Sequence, residues 1–141
     1  MSRESADARQ DELFRLIWDA MVEAAPPDWL RLDLMYMSVG DATELTLWGA
    51  WHEPELRSLD VPEPVELALQ ELRSTMYKPG EGTWFAARFY LTAPRQEFVI
   101  FDFDNDPAFE NPIDPSEWRR DIALYPRDPQ FVQKWLRELL T

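Results

Sequence analysis

The feature that most constrains this chain is an apolar stretch that runs directly into a cluster of carboxylates. It extends from Glu97 to Pro107 with the sequence EFVIFDFDNDP. Side chains alternate between the two faces of a strand, so Val99, Phe101 and Phe103 share one face. The other face carries Phe98, Ile100, Asp102 and Asp104. We therefore expect a strand that starts with both faces buried, contributes Val99, Phe101 and Phe103 to the core, and ends at solvent.

The carboxylates that follow this strand allow a metal site as one hypothesis. Four of them offer the hard oxygen ligands that magnesium and calcium take, namely Asp102, Asp104, Asp106 and Glu110. An EF-hand loop starting at Asp102 requires glycine at its sixth position and glutamate at its twelfth. Pro107 and Ile113 occupy those positions. The EF-hand is therefore excluded, and we predict neither a bound metal nor a cofactor.

The same strand resembles the nucleophile strand of haloacid-dehalogenase-type phosphatases, in which an apolar strand ends in Asp-x-Asp. That chemistry also requires a following helix, a lysine and further acidic residues on later strands of a parallel sheet. About 35 residues follow the pair here, too few for two βαβ units of roughly 30 residues each. A metal-dependent hydrolase that uses Asp102 and Asp104 remains the enzymatic alternative.

Composition limits the function classes. The 141 residues correspond to one domain, 1–141, and 45% of them are hydrophobic, including seven tryptophans and eight phenylalanines that can fill a core. Acidic residues number 27 against 14 basic ones, for a formal charge of -13. Such a surface repels nucleic acid and anionic membranes and attracts basic proteins. We therefore expect a protein partner and neither a nucleic acid nor a membrane.

The N-terminal segment and the absence of cysteine bear on location. Residues 1–12 are polar and lack the apolar run of a signal peptide, and their composition is compatible with disorder. The chain contains no cysteine, which excludes disulfides and thiolate catalysis. No stretch is apolar enough to span a membrane. These features predict a cytoplasmic protein.

Hydrophobic periodicity predicts the order of the elements. Helical stripes begin at Asp11, near Pro64 and at the N-cap Asp128, whereas extended segments cover 30–39, 45–51, 83–91 and 97–104. Pro26 and Pro27 end the first helix, and the turn Lys78–Gly82 ends the second. The proline-rich connection 107–129 allows only short helical turns. The expected fold is α+β, with about four strands in a single antiparallel sheet, helices on one face, and the order α-β-β-α-β-β-α.

Tryptophans and the scarcity of catalytic groups favour binding over catalysis. Trp18 and Trp135 lie on helical stripes, which predicts core positions. Trp48 and Trp51 lie on a strand, where aromatic side chains ringed by carboxylates suit a protein interface. His52 is the single histidine, and the chain has neither a nucleophile elbow nor a glycine-rich phosphate loop. We predict that the protein is not an enzyme.

Several short segments recur in the order and spacing of a known family. They are Pro27-Asp28-Trp29 before the first strand, Trp84 in the third, Phe101-Asp102-Phe103-Asp104 at the end of the fourth, Asp121 to Pro126, and Trp135 in the last helix. In these segments the chain resembles the YezG-like immunity proteins (antitoxin YezG family), small acidic α+β proteins that neutralise polymorphic toxins delivered between bacteria. It departs from them in the long link Thr92–Gln96 and the compact loop Lys78–Gly82.

The resemblance implies a non-enzymatic immunity protein that binds a cognate toxin domain, a nuclease in many such systems. We expect the acidic interface to contain Asp102, Asp104, Asp106 and Glu110, with Trp48 and Trp51 as anchors. The same aspartates have a structural alternative, in which Asp104 or Asp106 caps the turn before Pro107. A general protein-interaction module without a toxin partner is a further alternative.

Overall fold

The computed structural model of the protein describes residues 3–141, with side chains described from residue 7 onward. The helices are α1 (Arg3–Ala24), α2 (Glu63–Thr75), α3 (Pro115–Leu124) and α4 (Lys134–Leu140), with a 3₁₀ turn at Pro129–Phe131. The strands are β1 (Arg31–Val39), β2 (Ala42–Ala50), β3 (Arg57–Ser58), β4 (Ala86–Thr92) and β5 (Gln96–Asp102). Among the described residues, no helix combines the length and the apolar character that a membrane crossing requires.

The strands form one antiparallel sheet in the order β3-β2-β1-β4-β5. This confirms the α+β class, the single antiparallel sheet and both predicted hairpins, β1–β2 and β4–β5. The sheet has five strands rather than about four, because the loop after β2 supplies β3, in which Ser58 and Arg57 pair with Trp48 and Gly49. A two-residue strand in a polar, proline-containing loop has too little periodicity to be recognised in the sequence.

Helices α1 and α2 cover one face of the sheet, which we call the helix face. Trp18 and Phe14 of α1 pack on Phe89 of β4, with ring centroids 5.1 and 6.0 Å apart. The buried core between these layers consists of Leu13, Ile17, Trp18, Met21, Leu32, Leu34, Tyr36, Leu47, Val65, Ala68, Leu69, Leu72, Trp84, Ala87, Phe89 and Leu91. Each large apolar side chain buried there stabilises the fold by about 1.5–3 kcal/mol.

The ends of the helices differ from the sequence expectation. Helix α1 begins at Arg3 rather than Asp11, and Arg9 in its polar first part forms ion pairs with Glu12 and with Glu71 of α2. Residues 1 and 2 lie outside the described residues. The predicted last helix is divided into the 3₁₀ turn and α4, and the side chain of Asp128 makes no capping hydrogen bond.

Helix α3 is longer than the short turns that the proline-rich connection predicted. The carboxylate of Asp114 accepts a hydrogen bond of 2.8 Å from the backbone N–H of Ser116, and Pro115 occupies the first turn. Both residue types favour helix initiation at these positions. A proline of this connection, Pro115, therefore lies in the first turn of a helix of ten residues and does not prevent helix formation.

A second, smaller core joins α3 and α4 to the end of the sheet where β1 turns into β2. Its buried members are Val39, Phe85, Trp118 and Leu136. The rings of Phe85, Trp118 and Trp135 pack edge to face, with centroids 5.5–5.7 Å apart. Helices α3 and α4 therefore lie at this end of the sheet, beside the helix face covered by α1 and α2.

Strand β5 is the outermost strand of the sheet, which corrects the expectation that both of its faces begin buried. Phe101 and Phe103 are partly buried against the main core, but Val99 is 38% exposed and Ile100 is 53% exposed. The assignment of Val99 to the core is therefore wrong. An apolar run indicates a strand without indicating whether the strand is central or at an edge.

A buried ion pair between α2 and α3 connects the two cores. The guanidinium of Arg73 donates to both carboxylate oxygens of Asp121, at 2.6 and 2.8 Å, and its Nε donates to the carbonyl of Trp84 at 2.7 Å. Asp121 Oδ1 also accepts from the backbone N–H of Gly40 at 2.9 Å. Both side chains are buried, so loss of one partner leaves a buried, uncompensated charge.

Replacing Asp121 with alanine should lower the free energy of unfolding by about 3–5 kcal/mol, because Arg73 then stays buried without its carboxylate. Urea unfolding at neutral pH measures this change. The control Asp41→Ala removes the exposed partner of Arg120 and should cost less than about 1 kcal/mol. Equal losses in the two variants would contradict the structural role of the buried pair.

Candidate functional site

The face of the sheet opposite α1 and α2, which we call the open face, includes three adjacent registered rows of side chains between its ends. The first row contains Ser58, Trp48, Asp33, Tyr90 and Phe98. The second contains Thr46, Met35, Arg88 and Ile100, and the third contains Glu44, Met37, Ala86 and Asp102. The first row lies four residues from the third, about 13 Å along the strands.

An acidic segment, residues 102–114, continues from the third row. It begins at Asp102, the last residue of β5, and the backbone N–H of Glu110 donates to both carboxylate oxygens of Glu44 on β2, at 2.9 and 2.8 Å. Strands β5 and β2 are separated by β4 and β1, which is three strand spacings or about 14 Å. The acidic segment therefore runs from one side of the sheet toward the other at this end of the open face.

Asp102 organises the first turn of the acidic segment. Its Oδ1 accepts from the backbone N–H groups of Asp104 and Asn105 at 3.1 and 3.0 Å, and both of its oxygens accept from the side-chain amide of Asn105. Partial burial alone would raise the pKa of Asp102, but the hydrogen bonds from Asn105 and Asp104 lower it below its ordinary value. The capping role assigned to Asp104 or Asp106 thus belongs to Asp102.

The other acidic side chains of the segment face solvent. Asp104 Oδ1 accepts from the side-chain amide of Gln133 at 3.0 Å, and its backbone carbonyl accepts from the indole of Trp135 at 2.8 Å. Asp106 and Glu110 are exposed. The ion pairs among described side chains do not involve any carboxylate of residues 102–114.

The sequence accounts for this lack of pairing. Between Gln96 and Trp118 the chain carries seven acidic residues and neither lysine nor arginine. Glu97 pairs with Arg95 and Glu117 with Arg120, each beyond one end of that stretch. The negative charge between them is therefore concentrated in a stretch that contains no basic residue.

The four predicted carboxylates do not converge on a single point. Asp102 and Asp104 share the first turn, whereas Glu110 lies beside Glu44 on β2. Among the side chains described from residue 7 onward, no group of three or more histidine, aspartate or glutamate side chains is arranged to hold a metal ion. The arrangement presents separate carboxylates along a surface.

The two predicted tryptophan anchors lie in different environments. Trp48 is 42% exposed on the open face and borders a cavity of about 290 Å³ that Arg31, Asp33, Leu56 and Arg88 also line. Trp51 is buried, and its indole N–H donates to the carbonyl of Pro27 at 3.0 Å. Of the two tryptophans, only Trp48 therefore presents a large apolar surface on the open face, about 13 Å along the strands from the row that contains Asp102.

A cluster of charged side chains lies beside Trp48 and was not predicted from the sequence. Asp33 accepts from Arg88 at 3.0 and 2.6 Å and from Arg31 at 3.2 Å, and both guanidinium groups lie 5.0 Å from the ring of Tyr90. Hydrogen bonding to Asp33 raises the pKa of Arg88. The available signal was the alternation along β1, which puts Arg31 and Asp33 on the face opposite the core.

Replacing Asp102 with alanine should lower the free energy of unfolding by about 1 kcal/mol at pH 7, because the backbone N–H groups of the turn lose their acceptor. The folded-state pKa lies below the unfolded value of about 3.9, so this contribution is present above that value and disappears as the pH falls through the folded pKa. Urea unfolding of both proteins between pH 7 and pH 3 measures the difference.

The control for this prediction is Asp106→Ala, which removes an exposed carboxylate of the same segment and should change stability by less than about 0.5 kcal/mol. A difference between wild type and Asp102→Ala that stays constant down to pH 3 would contradict the pKa shift of Asp102.

Comparison of the sequence with known protein families and with curated proteins finds no match.

Proposed function

We propose that this protein is an immunity protein that binds a cognate toxin domain and neutralises it without catalysing a reaction. The observation that supports this function best is the acidic segment, whose carboxylates are held at the surface without ion-pair partners. Charge in this arrangement attracts a basic protein more strongly than charge already neutralised within the fold. The family resemblance of the sequence supplies the class of partner.

The electrostatics suit inhibition of an enzyme that acts on nucleic acid. A nuclease attracts phosphates, so its cleft is positively charged, and an acidic protein competes for that cleft through the same field. The acidic segment, with Glu44 beside it, concentrates carboxylates at one end of the open face. Attraction between these charges and a basic cleft should speed association and weaken as salt is added.

The open face supplies the contact area that charge alone does not provide. Trp48 lies on the same face as Asp102 and Glu44, and Arg88 and Tyr90 lie between Trp48 and β5. Tryptophan, tyrosine and arginine are the residues most enriched among those that dominate binding energy in protein interfaces. An apolar centre at Trp48, on the same face as the acidic segment, therefore fits a basic protein partner.

The geometry of Asp102 also supports binding rather than hydrolysis. A nucleophilic aspartate needs an oxygen directed at the substrate, and a metal ligand needs an oxygen directed at the ion. Both oxygens of Asp102 accept from Asn105. The hydrolase alternative would require this turn to open first.

The proposed function predicts that a neighbouring gene encodes the toxin domain, and co-expression with that domain tests it. The toxin alone should arrest growth, and this protein should restore it while forming a stable complex that survives size-exclusion chromatography. Equal arrest with and without this protein would refute the immunity function.

Neutralising the acidic segment should slow association with the toxin. The triple variant Asp104→Asn, Asp106→Asn and Glu110→Gln should lower the association rate constant by about tenfold at low salt and flatten its salt dependence. Stopped-flow fluorescence measures both quantities. The control Glu55→Gln, Asp60→Asn and Glu81→Gln changes the net charge equally at other exposed positions. An equal decrease in both triple variants would show that only total charge matters.

Truncating the apolar anchor should accelerate dissociation. Trp48→Ala should weaken the complex by about tenfold or more, mainly through the dissociation rate, because a large aromatic contact is lost. Isothermal titration calorimetry measures the affinity. The control Leu67→Ala truncates a side chain that is 64% exposed on α2 and should leave the affinity within about twofold. Unchanged affinity of Trp48→Ala would exclude Trp48 from the interface.

A further inference from the structure

The outer edge of β5 has the properties of a strand-binding site. The strand is seven residues long, whereas β3 at the opposite edge has two. Sheet edges are usually protected by lysine, proline, a bulge or a covering element. Residues 96–102 contain neither lysine nor proline, and Val99 and Ile100 are exposed on opposite faces at the centre of the strand.

A groove beside this edge provides room for the side chains of an added strand. Helix α1 packs over β4 and β5 through Phe14, whose ring lies 6.1 Å from that of Phe101. Between α1 and β5 lies a groove of about 470 Å³, lined by Asp11, Phe14, Arg15, Trp18, Asp19, Arg95 and Glu97. A sixth strand next to β5 would direct every second side chain toward this groove.

The acidic residues around β5 indicate which kind of strand binds at its edge. Glu97 and Asp102 flank the exposed apolar centre of β5, and the acidic segment continues from Asp102. A second copy of this chain would bring another formal charge of -13 to the same edge, whereas a basic chain would gain at the Asp102 end, because Glu97 at the other end is already paired with Arg95. We propose that the edge of β5 binds an extended segment of the toxin as a sixth strand, with apolar residues at its centre and lysine or arginine at the end beside Asp102. This inference rests on the proposed function.

Two kinds of contact contribute to this mode of binding. Backbone hydrogen bonds to β5 supply affinity that does not depend on side-chain identity, and alternate side chains supply selectivity. On the open face the added strand lies beside Ile100, and on the groove side it lies beside Val99. Its basic end lies beside Asp102 and the acidic segment, where the charges are complementary.

Hydrogen–deuterium exchange of the full chain, free and bound to the toxin domain encoded by the neighbouring gene, tests the inference. Backbone amides of β5 that point away from β4 should exchange rapidly in the free protein and at least about tenfold more slowly in the complex, because they gain hydrogen-bond partners. Protection confined to the open face or to the acidic segment would overturn strand addition and leave the proposed function intact. Protection that appears with rising concentration of this protein alone would assign the edge to a second copy.

A matched pair of variants provides the second measurement. Val99→Lys places a charge that protects natural edges and repels a basic strand, and it should weaken toxin binding by about tenfold or more. Leu67→Lys makes the same charge change on exposed α2 and should leave binding within about twofold. A complex of unchanged affinity with Val99→Lys would overturn strand addition alone. Failure of the wild-type protein to bind the toxin would refute the proposed function and this inference together.

Discussion

The ion pair between Arg73 and Asp121 is the interaction on which the arrangement of the two cores depends. It joins α2, which packs on the helix face, to α3, which packs at the end of the sheet. Its hydrogen bonds also reach the carbonyl of Trp84 before β4 and the N–H of Gly40 in the β1–β2 turn. Burying two charges is costly, and hydrogen bonds from each guanidinium nitrogen and to each carboxylate oxygen offset that cost. The net contribution of such a pair to stability is small, whereas loss of one partner is costly.

Fixing α3 also fixes the acidic segment, because Asp114 at the end of that segment is the N-cap of α3. The other end is fixed by the turn at Asp102, and the middle is held by Glu44 and by the indole of Trp135. The charges consequently project from a supported backbone. Carboxylates held near one another repel, and the surrounding hydrogen bonds offset that repulsion until a cationic partner removes it.

The sequence predicted the fold where the signal was local. The extended segments 30–39, 45–51 and 83–91 identified β1, β2 and β4, and the helical stripe that begins near Pro64 identified α2. The burial of β5 was predicted wrongly because an apolar run occurs in both edge and central strands. Whether a second strand pairs with β5 depends on distant parts of the chain, which the local sequence does not show. The pair Arg73–Asp121 joins positions 48 residues apart, so no spacing rule could indicate it. Arg73 directly follows the buried Leu72 in α2 and is itself buried.

For the candidate site, the sequence predicted which types of residue are present but not what each residue does in the folded protein. The concentration of carboxylates after β5 is evident in the sequence, but both oxygens of Asp102 are directed into the turn by Asn105, which only the folded backbone reveals. Trp48 and Trp51 are three residues apart and therefore start on opposite faces of an extended chain. That parity was the available signal that only one of them could share a face with Asp102. In the structure Trp48 lies on the same face of the sheet as Asp102, whereas Trp51 is buried and donates a hydrogen bond to the carbonyl of Pro27.

The edge of β5, the acidic segment and Trp48 would make different contributions to one binding event. Backbone groups along β5 are the same for any added strand, so they cannot distinguish one toxin from another. Discrimination must come from side chains that penalise a wrong partner, and unpaired carboxylates do this by repelling acidic surfaces. Asp102 is both the last residue of the edge strand and the organiser of the acidic turn, so the strand proposed to add along β5 would end against the carboxylates of the acidic segment. Substitutions in the acidic segment should therefore change which toxin is bound, whereas substitutions along β5 should change how strongly any toxin is bound.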